Sequence, residues 1–139
     1  MKRFILDHNL SPNLARALGL LVHGDEVTCL KDLGWQADPD ELWIPRLTSE
    51  QAVVITCDLD IVRNPHRQLI FRKAKLTAFF LLEAWSKDDV VRGPEIASRL
   101  LRLWPEISRL AHTNPAGTCF AVPFRGSIRR FHPQGKRPI

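Results

Sequence analysis

The sequence predicts an α/β fold, specifically a three-layer α/β/α sandwich around a mostly parallel sheet. Two short apolar runs rich in β-branched residues, residues 3–7 and 52–57, have the pattern of buried parallel strands. Segments with helical spacing of apolar residues separate these runs from each other and from later ones. Regular alternation of strand and helix segments is typical of a parallel sheet with helices on both faces.

The elements of the first half follow from local signals. Ser11-Pro12 begins a helix, with serine at the cap and proline at the first position. The alternating pattern of residues 26–30 predicts a second strand. Asp38-Pro39-Asp40-Glu41 begins a second helix, in which the first aspartate caps and the glutamate reaches back to it. We expect this helix to continue to about Ser49, with a kink or a restart at Pro45.

The second half continues the alternation. Residues 66–74 predict a short helix, residues 76–82 a strand and residues 118–123 a last strand. Residues 86–112 predict helix in pieces, because Gly93-Pro94 and Trp104-Pro105 should interrupt it.

Composition limits the classes of protein to which the chain can belong. Its 139 residues fit one domain, and 45% hydrophobic with 25% charged residues is typical of a globular protein. We expect a domain over residues 1–125 and a basic tail over residues 126–139. No run approaches the ~20 apolar residues of a membrane span, and the chain starts directly with a strand. Three widely spaced cysteines argue against a zinc site or a disulfide framework, so we expect a cytoplasmic protein.

Charge is distributed unevenly along the chain. The net charge is +5, and no acidic residue follows Glu106. Six basic residues do follow it: Arg109, Arg125, Arg129, Arg130, Lys136 and Arg137. A basic tail is either a solvated terminus or a surface that attracts an anionic polymer.

Acidic residues stand where two of the predicted strands end. Asp7 ends the first strand, Asp58 ends the strand over residues 52–57, and Asp60 follows two residues later. Ligands of open α/β sheets bind beyond the carboxyl ends of the strands, and we expect these two strands to be neighbours at the centre of the sheet. Each aspartate alone also fits a turn or a cap. Together they form the oxygen-rich cluster that Mg²⁺ requires.

A third acidic group comes from the predicted second helix. Asp40 and Glu41 lie in its first turn, where acids are favoured for electrostatic reasons alone. If the helix begins over the carboxyl edge of the sheet, these side chains join Asp7 and Asp58. One or two bound cations would then allow water activation and stabilisation of a scissile phosphate. This set of acids predicts metal-assisted phosphodiester hydrolysis.

Five segments together resemble the PIN-like nucleases, most closely the VapC-type toxins of bacterial toxin–antitoxin pairs. The segments, in chain order, are Phe4-Ile5-Leu6-Asp7, Asp40-Glu41-Leu42-Trp43-Ile44-Pro45, Val53-Val54-Ile55-Thr56-Cys57-Asp58, Arg63-Asn64-Pro65 and Leu76-Thr77-Ala78-Phe79-Phe80-Leu81. The most specific part is the acidic helix start followed at this distance by the strand that ends at Asp58. The similarity follows the chain to about Arg125.

The resemblance implies a compact α/β/α sandwich, an acidic Mg²⁺ or Mn²⁺ site, RNA cleavage, a cognate antitoxin and frequent homodimerisation. Asp7 and Asp58 match the two strand-end acids, and Asp40 or Glu41 matches the acid from the helix. Asp60 matches less closely, as a further metal ligand. Asn64 fits the pattern without a defined role. His8, where many relatives have an acid or another polar residue, departs from it.

Two other functions stay open from the sequence. A catalytically inactive relative would hold RNA or a partner protein through its basic tail. A haloacid-dehalogenase-like phosphatase would use Asp58 as a nucleophile within Asp58-Leu59-Asp60, although the chain after that motif is short for the remaining motifs of such an enzyme.

Overall fold

A computed structural model describes residues 2–7, 9–35, 37–47, 52–57, 64–82, 85 and 87–130. Within these ranges the side chains of residues 40, 41, 67, 68, 71, 72 and 89 are not described. The sheet consists of β1 (Arg3–Leu6), β2 (Glu26–Cys29), β3 (Ala52–Thr56), β4 (Thr77–Leu81), β5 (Cys119–Val122) and β6 (Arg129–Arg130). The helices are α1 (Pro12–Leu21), α2 (Asp40–Arg46), α3 (Pro65–Ala74) and α4 (Asp89–Thr113).

The strands form one sheet in the order β2-β1-β3-β4-β5-β6. The first five run parallel, and β6 pairs antiparallel with β5. The predicted adjacency of the first and third strands is confirmed, because Leu6 lies opposite Ile55 in the β1–β3 pair. Strand order reverses between β1 and β3, since β2 lies on one side of β1 and all later strands lie on the other. Such a reversal opens a crevice at the carboxyl ends of the two strands.

Side chains of alternate strand residues pack two separate apolar layers. Phe4 and Leu6 point to one face of the sheet, where α1 and α4 cover them. Ile5 points to the opposite face, which α2 and α3 cover. All five residues of β3 and all five of β4 are buried, as expected for parallel strands covered on both sides. The predicted three-layer α/β/α sandwich with a mostly parallel sheet is confirmed.

Helix α4 corrects the prediction of interrupted helical pieces. It is continuous over 25 residues, with Pro94 and Pro105 inside it. Both prolines are exposed, so water can reach the carbonyls that lose their helical hydrogen-bond donors. The opposite side of the helix is buried against the sheet, including Leu100 and Trp104. Packing of this apolar stripe outweighs the local cost of the prolines.

Helix α2 is shorter than predicted, and its cap differs. It begins at Asp40 and ends at Arg46, and the cap is Pro39, which makes no side-chain hydrogen bond. The carboxylate of Asp38 accepts a hydrogen bond from Arg46 at 2.8 Å instead. Pro45 is accommodated inside the helix. By contrast, the Ser11 cap of α1 is confirmed, since its side chain accepts from the Asn13 amide at 3.2 Å.

Two residues of the predicted tail belong to the sheet. Arg129–Arg130 form β6 beside Phe120 and Ala121. Residues 131–139, with Lys136 and Arg137, lie outside the described residues. Among the described helices, none is long and apolar enough to cross a membrane.

Candidate active site

The carboxyl ends of β1 and β3 place Asp7 in the crevice of the sheet. Asp7 follows β1 directly, and its amide donates to the carbonyl of Ile55 at 3.0 Å, so its backbone remains paired with β3. By alternation along the strand, its side chain lies on the same face as Ile5, the face covered by α2 and α3. Asp7 is fully buried. A buried carboxylate is costly unless it is hydrogen-bonded or bound to a cation.

Thr56 supplies one of the hydrogen bonds to this carboxylate. As the last residue of β3, it lies on the same face as Val54, and its hydroxyl donates to Oδ2 of Asp7 at 2.8 Å. Thr56 is also fully buried, and the contact joins residues 49 positions apart. Such a donor fixes the orientation of a carboxylate and so prepares it to bind a ligand. Sequence reasoning missed Thr56, although a hydroxyl at the end of an otherwise apolar strand was the available signal.

The other predicted acids lie outside what the structure describes. The structure does not describe residues 58–63, which include Asp58 and Asp60, and it does not describe His8. The backbone of α2 is described at Asp40 and Glu41, but their side chains are not. Helix α2 covers the face to which Asp7 points, through Trp43 and Ile44. Among the described residues, no group of three or more His, Cys, Asp or Glu could hold a metal ion. The proposed metal set therefore stays a prediction beyond Asp7.

Asn64 is described and has a local role. Its side-chain oxygen accepts from the amide of His66 at 3.0 Å, at the start of α3. This is the geometry of a helix cap, which gives Asn64 a structural function at the position where the sequence pattern gave none.

Arg92 lines a second opening at the same edge, on the face of α1 and α4. A cavity of about 180 Å³ lies among Asn9, Ser11 and Arg92. The guanidinium of Arg92 donates to Sγ of Cys57 at 3.2 Å, and the side-chain oxygen of Asn9 accepts from the Cys57 amide at 3.4 Å. A thiol is a weak acceptor, so the partly buried guanidinium retains most of its capacity to bind an anion. Sequence reasoning did not identify Arg92 either.

Trp35 does not present a free ring face for base stacking. The guanidinium of Arg46 lies 5.2 Å from its ring centroid, and the ring packs against the core between α2 and the sheet. Trp43 is fully buried and also packs the core.

At the opposite, amino-terminal edge of the sheet, three side chains resemble the components of a hydrolytic triad but lack its connectivity. Ser108 donates to Oδ2 of Asp25 at 2.6 Å, and Nε2 of His112 lies 3.1 Å from Oδ1. In a nucleophilic triad the histidine must contact the serine hydroxyl. Here both side chains bind the carboxylate, so the cluster is structural.

Comparison with known proteins agrees with this geometry. A family model described as "PIN like domain" matches residues 2–83, which include β1 through β4 and the Asp7 crevice. No match was found among curated proteins or among solved structures. The family match covers more than half of the chain, and the described sheet has the fold that the resemblance implied. The chain belongs to the PIN-like domain family.

Proposed function

We propose that this protein is a metal-dependent endoribonuclease that hydrolyses RNA phosphodiester bonds at the carboxyl edge of β1 and β3. The observation that carries the proposal is the fully buried carboxylate of Asp7, oriented by Thr56 at the crevice of a PIN-like domain. A nuclease-type superfamily supports hydrolysis of a nucleic acid. Cleavage of RNA, dependence on a metal and a role as a toxin are our inferences.

The donor chemistry of the described residues fits a hard divalent cation. Asp7 offers carboxylate oxygens, the ligand type that Mg²⁺ and Mn²⁺ prefer. Asp58 follows Cys57 in the chain and is proposed as the second ligand, with Asp40 or Glu41 from α2 and Asp60 as further candidates. Bound Mg²⁺ or Mn²⁺ would supply an activated water and charge stabilisation at the scissile phosphate.

The chain's own residues would bind and orient the substrate. Thr56 keeps the Asp7 carboxylate in one orientation through its hydrogen bond. Arg92, at the same edge, would pair with a phosphate oxygen, because its described hydrogen bond is to the weakly accepting Cys57 thiol. The apolar layers on both sides of β1 and β3 exclude water from beneath the carboxylate.

Cleavage of RNA by purified protein tests the proposal directly. We expect cutting with Mg²⁺ or Mn²⁺ and a loss of about 10²-fold or more in Asp7→Asn and in Asp58→Asn, since each removes a carboxylate that would hold the cation at the reacting phosphate. Asp32→Asn is the matched control, because Asp32 forms a surface ion pair with Arg16 at 2.9 Å. The assignment is wrong if no RNA is cut with either metal, or if both site variants cut as well as wild type.

Metal binding has a readout that is independent of cleavage. A cation present at a free concentration of one hundred times its Kd adds about 2.7 kcal/mol to the free energy of unfolding. We expect Mn²⁺ to raise the melting temperature of wild type and of Asp32→Asn, but not that of Asp7→Asn. Equal shifts in all three proteins would remove Asp7 from the metal site.

A toxin role adds a cognate antitoxin and a possible homodimer as partners. We expect expression of the chain alone in a bacterial host to arrest growth, and expression of Asp7→Asn to permit it. Normal growth at confirmed expression of the wild-type protein would contradict the toxin role while leaving the nuclease activity to the cleavage assay.

A further inference from the structure

A groove lined by arginines opens beside the carboxyl end of β5. The basic groove, as we call it, has a volume of about 440 Å³ and is lined by Arg99, Arg102, Arg125, Glu95, Ser98 and Phe124. The first half of α4 forms one wall, and the turn after β5 forms the other. Because β1 and β5 run parallel within the sheet, this turn lies at the same edge as Asp7. The groove lies beyond the matched residues 2–83.

Arg99 is held in place by two backbone carbonyls and forms no ion pair with another described residue. Its Nε donates to the carbonyl of Pro123 at 3.2 Å, and its Nη2 donates to the carbonyl of Gly126. Both acceptors are uncharged backbone groups of the turn. The guanidinium therefore fixes the wall of the groove and keeps its full positive charge there.

Among the described residues, neither of the two other arginines has a carboxylate partner. The guanidinium of Arg125 lies 5.6 Å from the ring centroid of Phe124, which in turn packs edge-on against Trp85 at 5.2 Å. Arg102 is exposed and has no hydrogen bond or ion pair within the described part of the chain. The aromatic ring positions one cation, and the other remains available to a ligand.

Several arginines elsewhere on the described surface do have carboxylate partners. Arg16, Arg46 and Arg109 each form an ion pair with an aspartate or a glutamate, at 2.9, 2.8 and 2.6 Å. The basic groove contrasts with them, because three guanidinium groups share its lining with one glutamate. Arg129 and Arg130 of β6, both exposed, extend the positive charge along the neighbouring edge strand. A concentration of unpaired cations in a concave surface favours a polyanionic ligand.

We infer that the basic groove binds the phosphate backbone of single-stranded RNA and leads it toward the Asp7 crevice; this rests on the proposed ribonuclease function. A concave surface of this size contacts a few consecutive phosphates of one strand. Its lining is charged and polar with one large apolar residue, Phe124, whereas the centre of a protein interface is mostly apolar. Asp7 lies at the same edge of the sheet but points to the opposite face, so an RNA strand bound in the groove would cross the carboxyl ends of β4 and β3 to reach it.

Binding of a fluorescent oligouridylate, measured by anisotropy in EDTA to prevent cleavage, tests the inference. The test variant is Arg102→Gln/Arg125→Gln, which leaves Arg99 to hold the turn. Each phosphate that no longer has an arginine partner makes the slope of log affinity against log salt shallower by about 0.7. If the affinities are equal at about 1 M salt, the loss of both contacts makes the double variant bind about 60-fold more weakly at roughly 50 mM salt. The matched control, Arg16→Gln/Arg109→Gln, removes the same formal charge outside the groove and should stay within about 2-fold of wild type.

Three results would overturn the inference. Equal weakening by both double variants would show an effect of net charge alone. Unchanged RNA binding in the groove variant would refute an RNA groove. Binding of wild type to poly-glutamate as tight as its binding to RNA would also refute it, because it would indicate a surface for acidic proteins. Failure of the proposed function is distinguishable, because it appears as absent cleavage while groove-dependent binding in EDTA persists.

Discussion

Replacement of Asp25 by asparagine should destabilise the protein strongly, although Asp25 is far from the proposed active site. Asp25 precedes β2, and its side chain is 1% exposed. It accepts hydrogen bonds from Ser108 at 2.6 Å, from His112 at 3.1 Å and from the amide of Lys2 at 3.4 Å. These hydrogen bonds tie the carboxyl-terminal part of α4 to the amino-terminal edge of the sheet.

The magnitude follows from the loss of a buried charged acceptor. An asparagine of the same size has one acceptor oxygen instead of two and carries no charge, so at least one partly buried donor loses its partner. Because the donors to Asp25 are partly buried or exposed rather than fully buried, the expected loss lies within the ordinary range for hydrogen bonds to a charged group, about 2–3 kcal/mol at most in the free energy of unfolding. For 139 residues the entropy of unfolding is about 0.29 kcal/mol/K, so the melting temperature should fall by about 7–10 °C.

The pH dependence of this effect has a defined sign. Burial alone raises the pKa of Asp25, but hydrogen bonds from Ser108, His112 and the Lys2 amide outweigh it and lower the pKa below its ordinary value. A carboxyl whose pKa is lower in the folded state contributes stability above its unfolded pKa of about 3.9. That contribution is lost as the pH falls through the folded pKa. The difference in the free energy of unfolding between wild type and Asp25→Asn should therefore narrow below about pH 4.

Urea unfolding of wild type, Asp25→Asn and Asp32→Asn between pH 7 and pH 3 measures these differences. Asp32→Asn is the control, because it breaks an exposed ion pair that solvent and salt screen, so it should change stability little. The reasoning is refuted if Asp25→Asn lies within about 0.5 kcal/mol of wild type at neutral pH, or if their difference grows on acidification.

Three further outcomes are expected. Thr56→Val removes a buried donor to Asp7 and should lower RNA cleavage by about 10-fold or more, while Mn²⁺ binding weakens; unchanged kinetics would deny Thr56 a positioning role. Gly117→Ala should cost about 1–2 kcal/mol in thermal unfolding, because its φ is +91° and the new Cβ would lie 3.4 Å from the Lys75 backbone; an unchanged melting temperature would contradict this. Burial raises the pKa of Cys119 to about 12, so its alkylation at pH 8, followed by mass spectrometry, should be about 10³-fold slower than after unfolding; equal rates would show that the thiol is accessible as a thiolate.

Local signals in the sequence predicted the elements that depend on neighbouring residues. The apolar runs of β1 and β3 and the Ser11 cap of α1 are present in the structure. They could be predicted because strands buried on both faces are continuous apolar runs, and because serine followed by proline is favoured at the start of a helix. The strand-end position of Asp7 was predicted for the same reason, and its role in a site stays a prediction.

Long-range packing decided what local rules predicted wrongly or missed. The prolines of α4 should interrupt a helix, yet a buried stripe on the sheet keeps it continuous. Strand β6 has only two residues and no periodic signal, so its pairing with β5 became visible only in the sheet.

The sequence by itself therefore determined the α/β class, the family resemblance and the acids at the strand ends, because those depend on residue type and spacing along the chain. Only the tertiary structure decided that Thr56 orients Asp7, that Arg92 reaches the same edge, and that three arginines meet in the basic groove. Thr56 and Asp7 are 49 residues apart, and Arg92 and Cys57 are 35 apart. Contacts between residues so far apart in sequence depend on strand order and helix packing, and neither can be predicted from a local stretch of the chain.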